Sequence, residues 1–181
     1  MTRHAGPADL VLRSATPADM AAITALYADE VREGVATYEY AVPDEAEMTR
    51  RWQAVLAQGY PYLVAEFAGR FAGYGYASSY RSREGYRWTV EDTVYVHPDL
   101  QGRGVGRALL DRLIVACTAQ GYRQMVAVIG DSSNAASIAL HERLGFRVVG
   151  VFEGLGRKHG RWLGTVQMQR ALGAGDSTAP D

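Results

Sequence analysis

Short apolar runs that suit β-strands recur along the chain. The run LVLRSA at 10–15 predicts a first strand. The runs at 62–67 and 70–79 flank Ala68-Gly69, a dipeptide that favours a tight hairpin turn. The next strand is expected at 87–98, where β-branched and aromatic residues are frequent. The remaining predicted strands lie at 125–130, 146–153 and 165–169.

Helical spacing and helix-end signals predict four helices between these strands. Thr16-Pro17-Ala18-Asp19 combines a cap, a first-turn proline and an acid, and predicts a helix that ends before Gly34. A second helix is expected from Pro43 to about Gln58. After a glycine-rich segment, apolar residues at helical spacing define a buried face of a third helix; they are Leu109, Leu110, Leu113, Ile114 and Cys117. The fourth helix is expected at 134–145.

The resulting element order, β-α-α-β-β-β-α-β-α-β-β, indicates a mixed α/β sandwich rather than a repeated βαβ fold. No internal repeat or linker interrupts the apolar pattern, so we expect one domain at 9–172. The small, polar and glycine-rich ends, 1–8 and 173–181, are expected to be flexible.

Composition narrows the class of protein. Hydrophobic residues make up 48% of the chain, which excludes overall disorder, and the net charge of −1 argues against a nucleic-acid or membrane-surface partner. The single cysteine, Cys117, excludes an intramolecular disulfide and suits a reducing compartment. No apolar run approaches the ~20 residues of a membrane span, and no signal-peptide core is found. We therefore expect a soluble, cytoplasmic protein.

The segment HPDLQGRGVGRALL (97–110) is the strongest candidate for a binding site. It lacks the Gly-Lys-Ser/Thr ending of a Walker loop and the G-x-G-x-x-G spacing of a dinucleotide fingerprint. Three glycines before a helix still allow the backbone to approach an anion closely, and the helix start adds a positive dipole end. Arg103 and Arg107 would add to that field. An ordinary flexible turn, the alternative, needs only one glycine, so this segment is predicted to bind a pyrophosphate.

Gln101-x-x-Gly104-x-Gly106 resembles the Q/R-x-x-G-x-G/A signature of the GCN5-related N-acetyltransferases (GNAT). The resemblance covers about 10–172 and implies a central mixed, mostly antiparallel sheet of about seven strands flanked by about four helices. It also implies that acetyl-CoA is the cofactor. The implied cofactor-binding residues are Val94, Tyr95 and Val96 on the preceding strand, Gln101, Gly102, Arg103, Gly104, Val105, Gly106 and Arg107 in the loop, and Asn134 in an N-x-x-S pattern.

Four further segments resemble the phosphinothricin and methionine-sulfoximine acetyltransferases: RWTVEDTVYVHP, the pair Arg81 and Arg83, ALHERLGF and KHGRW. This subgroup acetylates the α-amino group of small amino acids, and the resemblance implies a homodimer. Ser79-Tyr80 stands where the subgroup usually has Pro-Trp, and Gly164 stands where an acid is usual. The precise amino acid is therefore left open.

Two residues are candidates for catalysis. Glu91 lies on a strand three residues before Val94 and matches the subgroup's proposed catalytic glutamate, so we expect it to be a general base. A strand-surface carboxylate is the alternative. His141 could protonate the departing sulfur, contact the cofactor, or have no chemical role. Asp92 should point to the opposite face from Glu91, and no catalytic role is expected for it.

Substrate binding is expected from Arg81 and Arg83, whose side chains can reach one carboxylate, and from Tyr38 and Glu39. Solvated arginines and a solvated loop are the alternatives. The basic turn at 157–161 could cover the active site, form a subunit contact or be solvated. No histidine pair has metal-ligand spacing, so no metal is predicted. Other functions left open are acetylation of a protein N-terminus or polyamine, and non-catalytic acetyl-CoA binding.

Overall fold

A seven-stranded sheet and four α-helices make up the structure, a computed structural model that describes residues 9–180. The segment 1–8, expected to be flexible, lies outside the described residues. The strands are β1 Leu10–Ser14, β2 Tyr62–Phe67, β3 Arg70–Ser79, β4 Thr89–Val96, β5 Gln124–Gly130, β6 Arg147–Lys158 and β7 Arg161–Ala171. The helices are α1 Met20–Glu33, α2 Glu45–Ala57, α3 Val105–Ala119 and α4 Ala135–Arg143.

The strands follow one another in the order β1-β2-β3-β4-β5-β7-β6. Every neighbouring pair is antiparallel except β4 and β5, which are parallel. The predicted hairpin turn joins β2 to β3, and both Ala68 and Gly69 have positive φ, as its backbone twist requires. The mixed α/β class with a mostly antiparallel seven-stranded sheet is therefore confirmed.

The buried side chains form two clusters, one on each face of the sheet. On one face, α1 and α2 pack over a tyrosine-rich surface that includes Tyr62 and Tyr74. On the other face, α3 and α4 cover the larger core, which includes Cys117. Burial raises the pKa of the Cys117 thiol to about 12, as expected for a packed core residue rather than a nucleophile.

The last two strands are longer than the sequence pattern predicts. Pairing continues past 153 through Gly156 opposite Leu163 and Lys158 opposite Arg161. Consequently the turn is only His159-Gly160, both with positive φ, rather than the whole basic turn at 157–161. Glycines and charged residues break the apolar alternation here, but backbone hydrogen bonds to a neighbouring strand do not depend on that alternation.

The segment after β7 makes turns against the domain. Leu172 is buried, and Arg123 donates hydrogen bonds to the carbonyl oxygens of Gly175 and Ala179 and to Thr178 Oγ1. The division into a domain at 9–172 and a flexible tail stays a prediction.

Candidate active site

An opening in the sheet between β4 and β5 forms the candidate site. The two strands pair only from Thr89 to Glu91, opposite Gln124 to Val126. Beyond this point β4 stays paired with β3 and β5 stays paired with β7, so the two strands diverge. The gap contains a cavity of about 300 Å³, and residues from both faces of the sheet line it. Parallel pairing that stops early thus creates a passage within the sheet.

Glu91 lies at the point where the strands separate, on the same face of β4 as Tyr95 and the tyrosine cluster. Its side chain borders the cavity and is partly buried. Burial, with a smaller contribution from the negative charge of Asp92, raises the pKa of Glu91 from 4.5 to about 7. A carboxyl group with this pKa can accept a proton at neutral pH and release it again.

Asp92 lies on the opposite face of β4, against α4. Its Oδ2 is 3.0 Å from His141 Nε2, and both side chains are almost completely buried. Burial lowers the pKa of His141, but the hydrogen bond and charge of Asp92 more than offset this, so its pKa is raised. Sequence reasoning gave Asp92 no role and did not pair it with His141. Strand alternation already pointed Asp92 inward, and an acid pointing into a core requires a partner.

The loop between α1 and α2 forms the wall beside Glu91. Ala36, Thr37 and Tyr38 line the cavity. The Tyr38 hydroxyl donates to Gly164 O at 2.8 Å and accepts from the backbone N–H of Asp131 at 3.2 Å. These bonds join the loop to β7 and to the end of β5.

The 157–161 segment, whose role the sequence left open, holds the same loop in place. The buried Lys158 ammonium donates to Thr37 O at 2.8 Å and to Glu30 O at 3.2 Å. His159 contacts Gly34 O at 3.1 Å. The hairpin end therefore supports the wall that carries Tyr38.

The glycine-rich segment lies where β4 ends and α3 begins. Gly102 and Gly104 have positive φ, and Gly104 is the residue that caps α3. A Cβ on Gly106 would lie 3.3 Å from side-chain atoms of Val96 and Leu140, so the first turn of α3 is packed closely between β4 and α4. Backbone N–H groups at a helix start have no acceptor within the helix and are free to bind an anion.

The other predicted cofactor-binding residues surround this helix start. Gln101, Arg103 and Arg107 are exposed next to it, and the Arg103 guanidinium lies over the Phe67 ring at 5.7 Å. Val94 and Tyr95 line the opening, and Val96 is the next residue along β4. Asn134 also lines the opening and caps α4, because its Oδ1 accepts from Ser137 N at 3.1 Å.

The predicted substrate-binding residues do not all lie together. Tyr38 borders the first cavity, whereas Glu39 forms an ion pair with Arg51 of α2 at 2.7 Å. Arg83 is exposed at the start of a short 3₁₀ helix. Arg81 borders a second cavity, where its guanidinium stacks on the rings of two tyrosines, Tyr80 and Tyr86.

The two cavities are neighbours along β5. Val128 of β5 borders both of them, and Val126, opposite Glu91, borders the second. The second cavity is lined mainly by apolar residues of β5, β6 and β7. The two cavities therefore share a wall at Val128, with Glu91 on the first and Arg81 on the second.

Residues 9–180 contain neither a metal-ligand cluster nor a membrane-spanning helix. No three His, Cys, Asp or Glu side chains are arranged as ligands for a metal ion. No helix in that range is long and apolar enough to cross a membrane.

Comparison with known proteins identifies the class to which this fold and site belong. A family model described as an acetyltransferase (GNAT) domain matches residues 12–166. The chain therefore belongs to the GNAT acetyltransferase family.

Its relatives include enzymes with named substrates. The chain is 52% identical to the phosphinothricin N-acetyltransferase of Alcaligenes faecalis, over 90% of this chain and 83% of the relative. It is 44% identical to the L-methionine sulfoximine/L-methionine sulfone acetyltransferase of Pseudomonas paraeruginosa, over 89% of this chain and 94% of the relative. A crystal structure of a phosphinothricin acetyltransferase from Sinorhizobium meliloti in complex with AcCoA is similar, with a TM-score of 0.92 and 48% identity. That alignment covers 96% of this chain and 94% of the other.

Proposed function

We propose that this protein transfers the acetyl group of acetyl-CoA to the α-amino group of a small amino acid of the phosphinothricin, methionine sulfoximine or methionine sulfone type. The observation that carries the proposal is Glu91: a partly buried carboxyl group with a pKa of about 7 borders an opening next to a glycine-rich helix start. The named substrates of the relatives support this choice of acceptor.

The residues around α3 are suited to hold acetyl-CoA. Backbone N–H groups of the 101–107 segment would bind its pyrophosphate, and the exposed Arg103 and Arg107 would add positive charge. The diverged part of β4 runs from Val94 to Val96, and its backbone groups on the β5 side are not paired with β5. These groups can pair with the pantetheine arm. Asn134 would contact the arm from α4.

Glu91 would act as the general base, directly or through a water molecule. It accepts a proton from the ammonium group of the acceptor, and the freed amine attacks the acetyl carbonyl carbon. The new C–N bond replaces the C–S bond, and coenzyme A leaves as a thiolate. The nitrogen then loses its second proton, and the thiolate takes up a proton through solvent to give the free thiol. An α-amino group titrates at about pH 8 or above, so removing its proton at neutral pH costs at least about 1.4 kcal/mol. A base with a pKa of about 7 is well matched to that step.

His141 remains a candidate contact for the thioester end of the cofactor, because it borders the opening from α4. Proton donation by His141 to the departing sulfur would require its ring to leave Asp92 or Ser137. Nε2 faces Asp92 at 3.0 Å and Nδ1 faces Ser137 O at 2.7 Å.

Recognition of the acceptor's carboxylate is assigned to Arg81, with Arg83 nearby. Val128 borders both the cavity of Glu91 and the cavity of Arg81, and an amino acid would place its amine near Glu91 and its acid group toward Arg81. Tyr38 would limit the size of the acceptor. Glu39 would act by holding the loop through Arg51.

A homodimer is proposed from the apolar surface of the last two strands. Large apolar side chains are 46 to 68% exposed there: Val148, Val149, Val151, Phe152, Leu155 and Trp162. Contiguous exposed apolar surface of this kind commonly marks a subunit interface. Light scattering should give twice the chain mass, and Phe152→Glu should give the monomer mass. A monomeric parent protein would contradict this assignment.

We also propose a cytoplasmic location, because the single cysteine is consistent with a reducing compartment.

The test is a steady-state screen of amino acids with acetyl-CoA in which the release of free thiol is followed. Phosphinothricin, methionine sulfoximine and methionine sulfone should be acetylated, and their decarboxylated amines should be poor substrates. A peptide N-terminus and a polyamine are the control acceptors. Turnover of either control without turnover of the amino acids would replace this proposal, and binding of acetyl-CoA without any turnover would indicate a non-catalytic protein.

A further inference from the structure

We propose that Asp92 is a positioning residue of the acetyl-transfer site, which shares a single buried proton with His141 and thereby holds α4 against β4 at the edge of the opening. This inference rests on the proposed acetyl transfer for its functional consequence. The proton count does not depend on that activity.

The hydrogen bonds of the His141 ring determine the proton count. A carbonyl oxygen can only accept, so the 2.7 Å contact between Nδ1 and Ser137 O requires a proton on Nδ1. Neutral imidazole then has no proton on Nε2. The 3.0 Å contact between Nε2 and Asp92 Oδ2 therefore needs one more proton between them.

That proton resides on His141, which makes the pair a carboxylate and an imidazolium. Both side chains are at most 5% exposed, so neither charge can rely on water for its stabilisation. The Phe146 ring packs edge-on against the imidazole, with ring centroids 5.0 Å apart. The pKa of His141 is raised, in agreement with this assignment.

Other titratable groups near the pair do not replace either partner. Cys117 of α3 feels the charge of Asp92, but burial keeps the thiol protonated. Glu91 also feels that charge, from the other face of the sheet. Among the described residues, Asp92 Oδ1 has no hydrogen-bond partner. Within residues 9–180, the hydrogen bonding of the Asp92 carboxyl group therefore depends on His141.

The position of the pair connects it to cofactor binding. Asp92 belongs to β4 immediately after the point where β4 and β5 separate, and His141 belongs to α4. The same helix contributes Asn134, Ser137 and Leu140 to the lining of the opening. The Asp92–His141 contact is therefore a polar link that sets the distance between these residues and β4.

The first test is nitrogen NMR of the histidine side chains in the wild-type protein at about pH 7.5. We expect both ring nitrogens of His141 to carry protons, and an unstructured histidine-containing peptide in the same buffer is the reference for an unperturbed ring. In Asp92→Asn, the amide can donate to Nε2, and His141 should become a neutral Nδ1–H tautomer. A neutral His141 in the wild-type protein would overturn the proposal, whatever the enzyme acetylates.

The second test separates positioning from charge. Asp92→Ala removes the link, and the dissociation constant and KM for acetyl-CoA should rise at least about tenfold, with a smaller change in kcat. Asp92→Asn keeps a hydrogen bond and should restore affinity to within about threefold of wild type. Asp111→Ala, on the exposed face of α3, is the matched control.

Thermal unfolding checks that each variant is folded. Wild-type affinity in a folded Asp92→Ala protein would overturn the positioning role. If Asp92→Ala does not fold, the test uses Asp92→Asn alone. A rise of about tenfold or more in its dissociation constant for acetyl-CoA would also overturn the positioning role. Absence of amino-acid turnover in the wild-type protein would refute the proposed function but would leave the NMR result and the acetyl-CoA affinities as tests of the pair.

Discussion

The two faces of the sheet meet at the opening, but they are built in different ways. On the face that carries α1 and α2, the functional groups are separate side chains: Glu91 from β4, Tyr38 from a loop and Arg81 from the segment after β3. On the face that carries α3 and α4, the groups are mostly backbone N–H groups and helix starts, supported by the buried contact between Asp92 and His141.

In the proposed function, this difference separates chemistry and selectivity from cofactor binding. Side chains on the first face would determine which amine loses a proton and which acceptor fits. Local backbone geometry on the second face would bind the cofactor regardless of the acceptor. Substitutions on the first face should therefore change kcat or acceptor preference, whereas substitutions on the second should change the affinity for acetyl-CoA.

The largest effect is expected for Glu91→Gln, which keeps the shape of the side chain but removes its basicity. The kcat at neutral pH should fall by a factor of roughly 10² to 10⁴, while the dissociation constant of acetyl-CoA stays the same. Because the raised pKa of Glu91 is about 7, wild-type kcat/KM should fall as pH decreases below 7, where the carboxyl is protonated. The loss in the variant should shrink at high pH as free amine accumulates. A near-normal rate at neutral pH would assign the base elsewhere, and Glu142→Gln on the exposed side of α4 is the control.

The next effect concerns acceptor selectivity. Arg81→Ala should lower kcat/KM about 10- to 150-fold for the amino acid, because a charge-assisted hydrogen bond contributes about 1.5–3 kcal/mol. The decarboxylated amine should lose much less. Arg83→Ala tests the second arginine in the same way. Arg87→Ala is the control, because Arg87 is exposed and paired with Glu84. Equal losses for acid and amine would mean that Arg81 supports structure or cofactor instead.

On the cofactor face, Gly106→Val should raise the dissociation constant of acetyl-CoA at least about tenfold, or 1.4 kcal/mol. A side chain there would press against Val96 and Leu140, which lie 3.3 Å from the added Cβ, and would hinder the close approach of a phosphate. Gly85→Val is the control, because nothing lies within 4 Å of its added Cβ. Calorimetry on folded protein that shows unchanged affinity would reject this binding mode.

The smallest effect is expected for Tyr38→Phe, which removes the hydrogen bond to Gly164 O and the weaker one from the Asp131 N–H. A bond of this kind contributes about 0.5–1.5 kcal/mol, so kcat/KM for the amino acid should fall about two- to tenfold. The affinity for acetyl-CoA should not change. Tyr122 lies in a stacked pair with Tyr60, away from the opening, and Tyr122→Phe should behave like the wild type. Weaker acetyl-CoA binding in Tyr38→Phe would show that the two faces are not independent.

The sequence by itself determined the elements, the mixed α/β class and the family. It could do so because these depend on contiguous signals: strand runs, helix ends, and glycines at fixed spacing before α3. Strand alternation also determined that Glu91 and Asp92 face opposite sides of β4.

Only the tertiary structure decided how distant segments meet. The early divergence of β4 from β5 arises because each strand keeps a different neighbour, and no local pattern records that choice. The same holds for the contact of Lys158 with the α1–α2 loop, 121 positions apart, and for the pairing of Asp92 with His141, 49 positions apart. Burial then shifted the pKa of Glu91, because desolvation depends on everything packed around a group rather than on its neighbours in the chain.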